Sequence, residues 1–155
     1  MTKGKTKRRS ALLAMLIAAS PLAWASESQV RSVSVTMLDS MRFQFEPALS
    51  ELKPGEQVEF VVTNQGQIVH EFVLGSPTEQ AEHREQMRNS GHHHHHHSSN
   101  AVTLEAGEHA TLAWQMPHSG QLEVACNIPG HYEAGMFEVW KIEKEKSREG
   151  PLAAP

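Results

Sequence analysis

Cys126-Asn127-Ile128-Pro129-Gly130-His131-Tyr132-Glu133-Ala134-Gly135-Met136 is the stretch that decides how this chain folds and what it holds. It contains the only cysteine in 155 residues, with a histidine five positions on and a methionine five positions beyond that. Thiolate, imidazole and thioether together suit copper: the two sulfurs are soft, and imidazole binds both of its oxidation states. Copper held by two histidines and a thiolate, with a weak axial methionine, needs four ligands, and this loop supplies three. The fourth must be a histidine from elsewhere in the chain.

Upstream, Lys3, Lys5, Lys7, Arg8 and Arg9 precede the apolar run Ala11–Ala19, and Ala23-Trp24-Ala25 forms an A-x-A exit. A basic start, a short apolar core and a small-residue cleavage pattern read as a secretory signal over residues 1–25. The apolar run is too short for a permanent anchor. Arg8-Arg9 admits a twin-arginine signal, but Lys7 before the pair and Ala11 after it favour the general secretory route. The expected address is the periplasm, with no stable membrane insertion after cleavage.

Five of the 14 basic residues lie in that leader and none of the 18 acidic ones do, so the mature chain carries 9 against 18, a formal charge of −9. That balance argues against a nucleic-acid partner, because phosphate binding needs a basic footprint. The 130 residues left after cleavage suit one domain. A lone cysteine in an oxidising compartment cannot close an internal disulfide, and metal ligation is one way to occupy it.

Working outward from the loop, alternation of period two recurs along the chain. Val33, Val35 and Met37 alternate with polar neighbours, Phe43 and Phe45 repeat the pattern, and Val58, Phe60 and Val62 follow the turn Lys53-Pro54-Gly55-Glu56. Asn64-Gln65-Gly66 is a second turn, leading to a strand over Ile68–Leu74. Ser76-Pro77-Thr78-Glu79 starts a helix, with Ser76 as cap, Glu79 reaching back and Pro77 at the first position. The helix runs to about Arg88. Further strands are expected at Ala101–Leu104, about His109–Gln115, Gln121–Cys126 and Met136–Ile142, and the charged tail 143–155 reads as disordered. Seven or so short strands, one inserted helix and no βαβ rhythm indicate an all-β sandwich spanning 26–142, with a helix and histidine-rich insert at about 77–100.

Outside the tract His92–His97, four histidines compete for the vacant ligand position. His83 falls on the helix and reads as a solvated face, while His109 and His118 read as loop or strand-edge positions. His70 opens an apolar strand, where a histidine is either a satisfied core group or a ligand. The Cys/His/Met loop downstream tips His70 towards ligand.

The pattern C-x4-H-x4-M ahead of a final strand, with a lone histidine upstream in Val69-His70-Glu71-Phe72, resembles the cupredoxins, the small blue copper proteins. Exported bacterial members of plastocyanin and azurin type, linked to copper tolerance, look most similar. The resemblance covers about residues 30–142. It implies a Greek-key β-sandwich holding one type-1 copper per chain, with His70, Cys126 and His131 around the metal and Met136 as axial ligand. It further implies that the backbone N–H of Glu71 donates to the Cys126 sulfur, and that His131 is the surface port for electrons. Two departures stand out. The single cysteine forbids the disulfide of plant members with this spacing, and Glu71 stands where many members have Asn or Ser. A carboxylate there is expected to lower the potential or to bind a partner.

The tract His92, His93, His94, His95, His96 and His97 looks like a purification tag, yet it lies inside the domain of a chain that keeps its leader, so we read it as natural. Such a run binds divalent metals with little selectivity and is a candidate auxiliary metal site. The sequence therefore supports a one-electron carrier working with cytochromes or oxidases. The alternative is a copper-tolerance protein that sequesters or delivers metal to copper-handling proteins, with the tract collecting it. No second cysteine, additional His-x-His cluster outside the tract or catalytic triad pattern points to an enzyme.

Overall fold

The computed structural model describes residues 30–90 and 98–143. The leader, the tract His92–His97 and the tail beyond Glu143 lie outside the described residues. The described residues form eight strands: β1 (Arg31–Leu38), β2 (Arg42–Glu46), β3 (Gln57–Asn64), β4 (His70–Gly75), β5 (Ala101–Leu104), β6 (His109–Gln115), β7 (Gly120–Ala125) and β8 (Phe137–Ile142). Helix α1 (Pro77–Ser90) lies between β4 and β5. The strands make two four-stranded sheets, in the orders β2-β1-β3-β6 and β5-β4-β7-β8. Pairing is antiparallel except between β1 and β3, which run parallel with Val35 beside Val62. The architecture is the expected Greek-key β-sandwich.

Alternation in the sequence becomes the inner faces of the sandwich. Val33, Val35 and Met37 of β1 and Val58, Phe60 and Val62 of β3 are all buried, while their neighbours on the other face are more exposed. Phe60 of one sheet meets Phe72 of the other at 5.5 Å between ring centroids, and Phe43 meets Phe72 edge-on at 5.7 Å. Burial of these rings supplies the main drive for closing the two sheets.

β4 departs from alternation, since all six of its residues are buried. Its inner side chains face the core, and helix α1 covers its outer face together with that of β7. The helix begins as its sequence dictates: Glu79 Oε2 accepts the Ser76 N–H at 2.7 Å and Ser76 Oγ accepts the Glu79 N–H at 3.3 Å. It runs to Ser90, two residues past the expected end, with Asn89 bonded back to Glu85 in the last turn.

Strand ends also shift slightly. Ile68 and Val69 stay outside β4 because the Ile68 carbonyl is taken by the Asn64 side chain at 2.8 Å. Cys126 and Met136 fall just beyond β7 and β8 and form the neck of the loop between them. Among the described residues no helix is long and apolar enough to cross a membrane.

Candidate metal centre

The antiparallel register sets Val73 of β4 opposite Ala125 of β7, so the chain just before Val73 runs beside the chain just after Ala125. His70 and the Cys126–Met136 loop are thereby brought to one end of the second sheet. The loop is held by its own backbone. The Cys126 N–H donates to the Met136 carbonyl, the Met136 N–H to the His131 carbonyl and the His131 N–H to the Ile128 carbonyl, each at 3.0 Å. Gly130 and Gly135 take φ of 91° and 103°, a region that side chains disfavour, so the loop can turn tightly at both points.

His70, Cys126 and His131 converge. Their ligand atoms lie within 4.8 Å of one another, the only such group of three or more His, Cys, Asp or Glu residues among those described. Cys126 Sγ stands 3.3 Å from His131 Nδ1, and the rings of His70 and His131 are 5.0 Å apart at 59°. His70 and Cys126 are fully buried, whereas His131 is half-buried. Met136 is fully buried and tied by backbone to both Cys126 and His131.

His70 tests whether these residues fit a metal. Its Nε2 lies 3.1 Å from Asp39 Oδ1, while Nδ1 is buried without a hydrogen-bond partner. A buried polar atom left alone calls for an explanation. His70 is one of three residues whose ligand atoms converge, and a metal bound there would engage such a nitrogen beside a thiol and a second imidazole. Soft sulfur with imidazole nitrogen is a donor set that suits copper.

The cysteine is shaped by burial. Desolvation pushes the Cys126 thiol up to about 12, and the N–H groups of Glu71 and Ile128 partly oppose this by favouring the thiolate. The Glu71 N–H donates to Cys126 Sγ at 3.3 Å, as the resemblance implied.

Glu71 itself does not reach a partner. Its side chain is fully buried, with Oε2 accepting the Asn127 N–H at 3.3 Å and Oε1 standing 3.0 Å from His83 Nε2. This corrects two expectations. The carboxylate is an internal brace, and His83 lies on the docked face of helix α1, because its ring is the donor that the buried carboxylate requires. Burial opposes a charged His83, but the Glu71 hydrogen bond outweighs it and raises the imidazole above its ordinary value.

The same helix face carries more braces. Gln80 donates to the carbonyls of Val73 (2.9 Å) and Glu123 (3.0 Å) and accepts from Asn127 Nδ2 at 2.8 Å. Arg84 pairs with Glu123 at 3.2 Å and lies 3.6 Å above the Tyr132 ring, which stacks on Phe137. With Glu133 exposed and 3.7 Å from Arg88, the loop rim is more charged than its small apolar residues suggest.

Of the residues singled out from sequence, His70, Cys126 and His131 come together, and Met136 is buried at the neck of the same loop. His109 and His118 are exposed, in keeping with strand-edge and loop positions. The tract His92–His97 lies outside the described residues. Asp39, Gln80, Arg84 and Asn127 were not singled out, and no local motif marks them. Their roles arise from contacts across up to 56 positions of chain.

A β-sandwich with a histidine–cysteine–histidine cluster at one end defines a copper-binding protein of cupredoxin type. Residues 32–143 match the model for copper binding proteins of the plastocyanin/azurin family, and the chain belongs to that family. Among individual relatives, it is 44% identical over 106 residues to the copper-resistant cuproprotein CopI of Vibrio cholerae, a match covering 68% of this chain and 62% of that protein. It is also 34% identical over 134 residues to the copper-resistant cuproprotein CopI of Pseudomonas aeruginosa, covering 68% of this chain and 72% of that one. Dithionite-reduced auracyanin from Roseiflexus castenholzii shares the fold with a TM-score of 0.57 at 17% identity, over 72% of this chain and 96% of auracyanin.

Proposed function

We propose that the chain is an exported, periplasmic protein that holds one type-1 copper and serves copper tolerance. The observation that carries this is the convergence of His70, Cys126 and His131, whose ligand atoms lie within 4.8 Å of one another, with the His70 Nδ1 buried and without a hydrogen-bond partner. In this reading His70, Cys126, His131 and Met136 would hold the metal. Copper would supply a one-electron redox couple when bound. The chain's own part is to exclude water by burying His70, Cys126 and Met136, and to hold the sulfur in place through the Glu71 N–H. Tolerance is supported by the relatives, which are named as copper-resistant cuproproteins.

A second reading, a one-electron carrier for cytochromes or oxidases, is favoured by the bracing of the site, since a rigid surround suits electron exchange. His131, the most exposed of the three clustered ligands, is then the port. Neither reading gives the chain an enzymatic activity of its own.

Visible and EPR spectra of the copper-loaded mature protein test the site: an intense thiolate-to-copper band is expected, and a colourless protein with an ordinary Cu(II) signal refutes it. Growth in excess copper of a strain lacking the protein, complemented by the wild type or by C126S, tests tolerance. Restored growth with C126S would refute a tolerance role for this site. The His92–His97 tract is assigned a collecting role, and unchanged copper stoichiometry and loading rate on its deletion would remove it.

A further inference from the structure

We propose that Asp39 positions His70 and sets the reduction potential of the metal centre, acting through the imidazole ring. The proposal rests on the copper reading above. Asp39 lies on the turn between β1 and β2, in the sheet opposite to the one that carries the ligands, and 31 residues before His70. Its Oδ1 stands 3.1 Å from His70 Nε2, while Oδ2 accepts the Gln67 N–H at 2.8 Å. An ionised carboxylate only accepts, so Nε2 must carry the ring hydrogen and the lone pair must sit on Nδ1. That is the buried nitrogen with no other partner. One carboxylate thus decides which face of the imidazole meets Cys126 and His131.

The seat of this carboxylate is built into the turn. At Gly66 an added Cβ would lie 2.9 Å from Asp39 Cγ and closer still to Oδ1, so only glycine leaves room for the carboxylate there. The Gly66 N–H is fixed by Asn64 Oδ1 at 2.8 Å, and the Asn64 amide in turn holds the carbonyls of Ile68 and Leu104. Asn64 is fully buried, so the loop that carries Gly66 and Gln67 is anchored to the core.

The direction of the effect follows from charge. A carboxylate hydrogen-bonded to a ligand imidazole makes the ring a stronger donor and places negative charge near the metal. Both favour Cu(II) over Cu(I) and lower the potential. The Asp39 side chain is 41% exposed, so water screens part of this field, whereas the His70 side chain is fully buried and transmits the hydrogen bond undiluted.

The test compares wild type with D39A, D39N and G66A, the last displacing the carboxylate without changing its chemistry. In the apoprotein, nitrogen NMR of His70 at neutral pH is expected to show hydrogen on Nε2 in wild type and D39N, and a mixture of tautomers in D39A. In the copper-loaded protein, binding is read at the thiolate-to-copper band, to which the histidine tract makes no contribution. D39A and G66A are expected to lose about 10- to 100-fold in Cu(II) affinity. Cu(I) affinity should fall less, and each tenfold loss in the ratio raises the potential by about 59 mV. D39N keeps an acceptor but no charge, so it should keep the tautomer and still raise the potential. An unchanged tautomer in D39A, or potentials equal to wild type in all three variants, would overturn the proposal. A wild-type protein that takes up no copper at this site refutes the metal reading instead, and the apoprotein tautomer is measured independently of it.

Discussion

Cys126 enters the site as a thiol. With its pKa pushed up to about 12, mainly by burial, it keeps its proton throughout the neutral range, and a metal must displace that proton to bind sulfur. Loading the apoprotein between pH 7 and 8 is therefore expected to release about one proton per copper, and apparent affinity should rise with pH. An indicator titration in weak buffer reads this, and C126S should show neither the release nor the coloured band. Release of no proton by the wild type would mean that the thiolate already exists in the apoprotein. At this scale the sequence is informative where a ligand set is local. Cys126, His131 and Met136 sit at fixed intervals in one loop, so donor chemistry alone singles them out. His70 needed the loop as context. Asp39 could not be found, because a carboxylate in a turn 31 residues from its imidazole looks like any other turn residue.

Helix α1 shows why an element can be legible and its face not. Its start was readable because Ser76, Pro77 and Glu79 form a local cap. Its docking was not, because the buried side is Gln80, His83, Arg84 and Met87 rather than an apolar stripe. Hydrogen bonds to Glu71, Glu123 and Asn127 hold it, and these partners lie beside the metal centre. The His83–Glu71 pair makes the attachment depend on pH. His83 has its folded pKa raised, chiefly by the Glu71 hydrogen bond, so its contribution is complete below the unfolded value near 6.5 and is lost as pH rises through the folded value. H83A leaves a buried carboxylate oxygen without its donor and should cost about 1–3 kcal/mol, towards the lower end because the His83 side chain is 21% exposed. H83Q retains a donor and should cost less. Urea unfolding between pH 5.5 and 8.5 reads both, and the wild type should lose its advantage over H83Q as pH rises. A constant difference across that range would mean that the pair does not change charge within it.

Across the whole molecule, the candidate site joins the two sheets. Asp39 comes from the first, His70 and the Cys126–Met136 loop from the second, and Phe60 with Phe72 closes the core between them. The sandwich was readable from alternation because each sheet buries one face. β4 and β5 depart from it, since all their residues are buried, and the helix covers the outer side of β4. A ligand that needs both sheets in place binds the folded chain and not the unfolded one, so it must stabilise the fold as a unit. Copper at a thousandfold excess over its dissociation constant is expected to add about 4 kcal/mol. For a domain of this size that raises the melting temperature by on the order of 10–20 °C. C126S should abolish the rise. F72A should lower both the apo and the loaded protein by about 3–5 kcal/mol while leaving the rise itself intact, since it removes core volume rather than a ligand. The six-histidine tract provides an internal contrast. Consecutive imidazoles bind metal in an unfolded chain as readily as in a folded one, so metal held there cancels between the two states and shifts nothing. Calorimetry of wild type, C126S and a chain lacking His92–His97, each with and without copper, separates the two kinds of binding. If C126S kept the full rise, the stabilising metal would lie outside the His70–Cys126–His131 cluster.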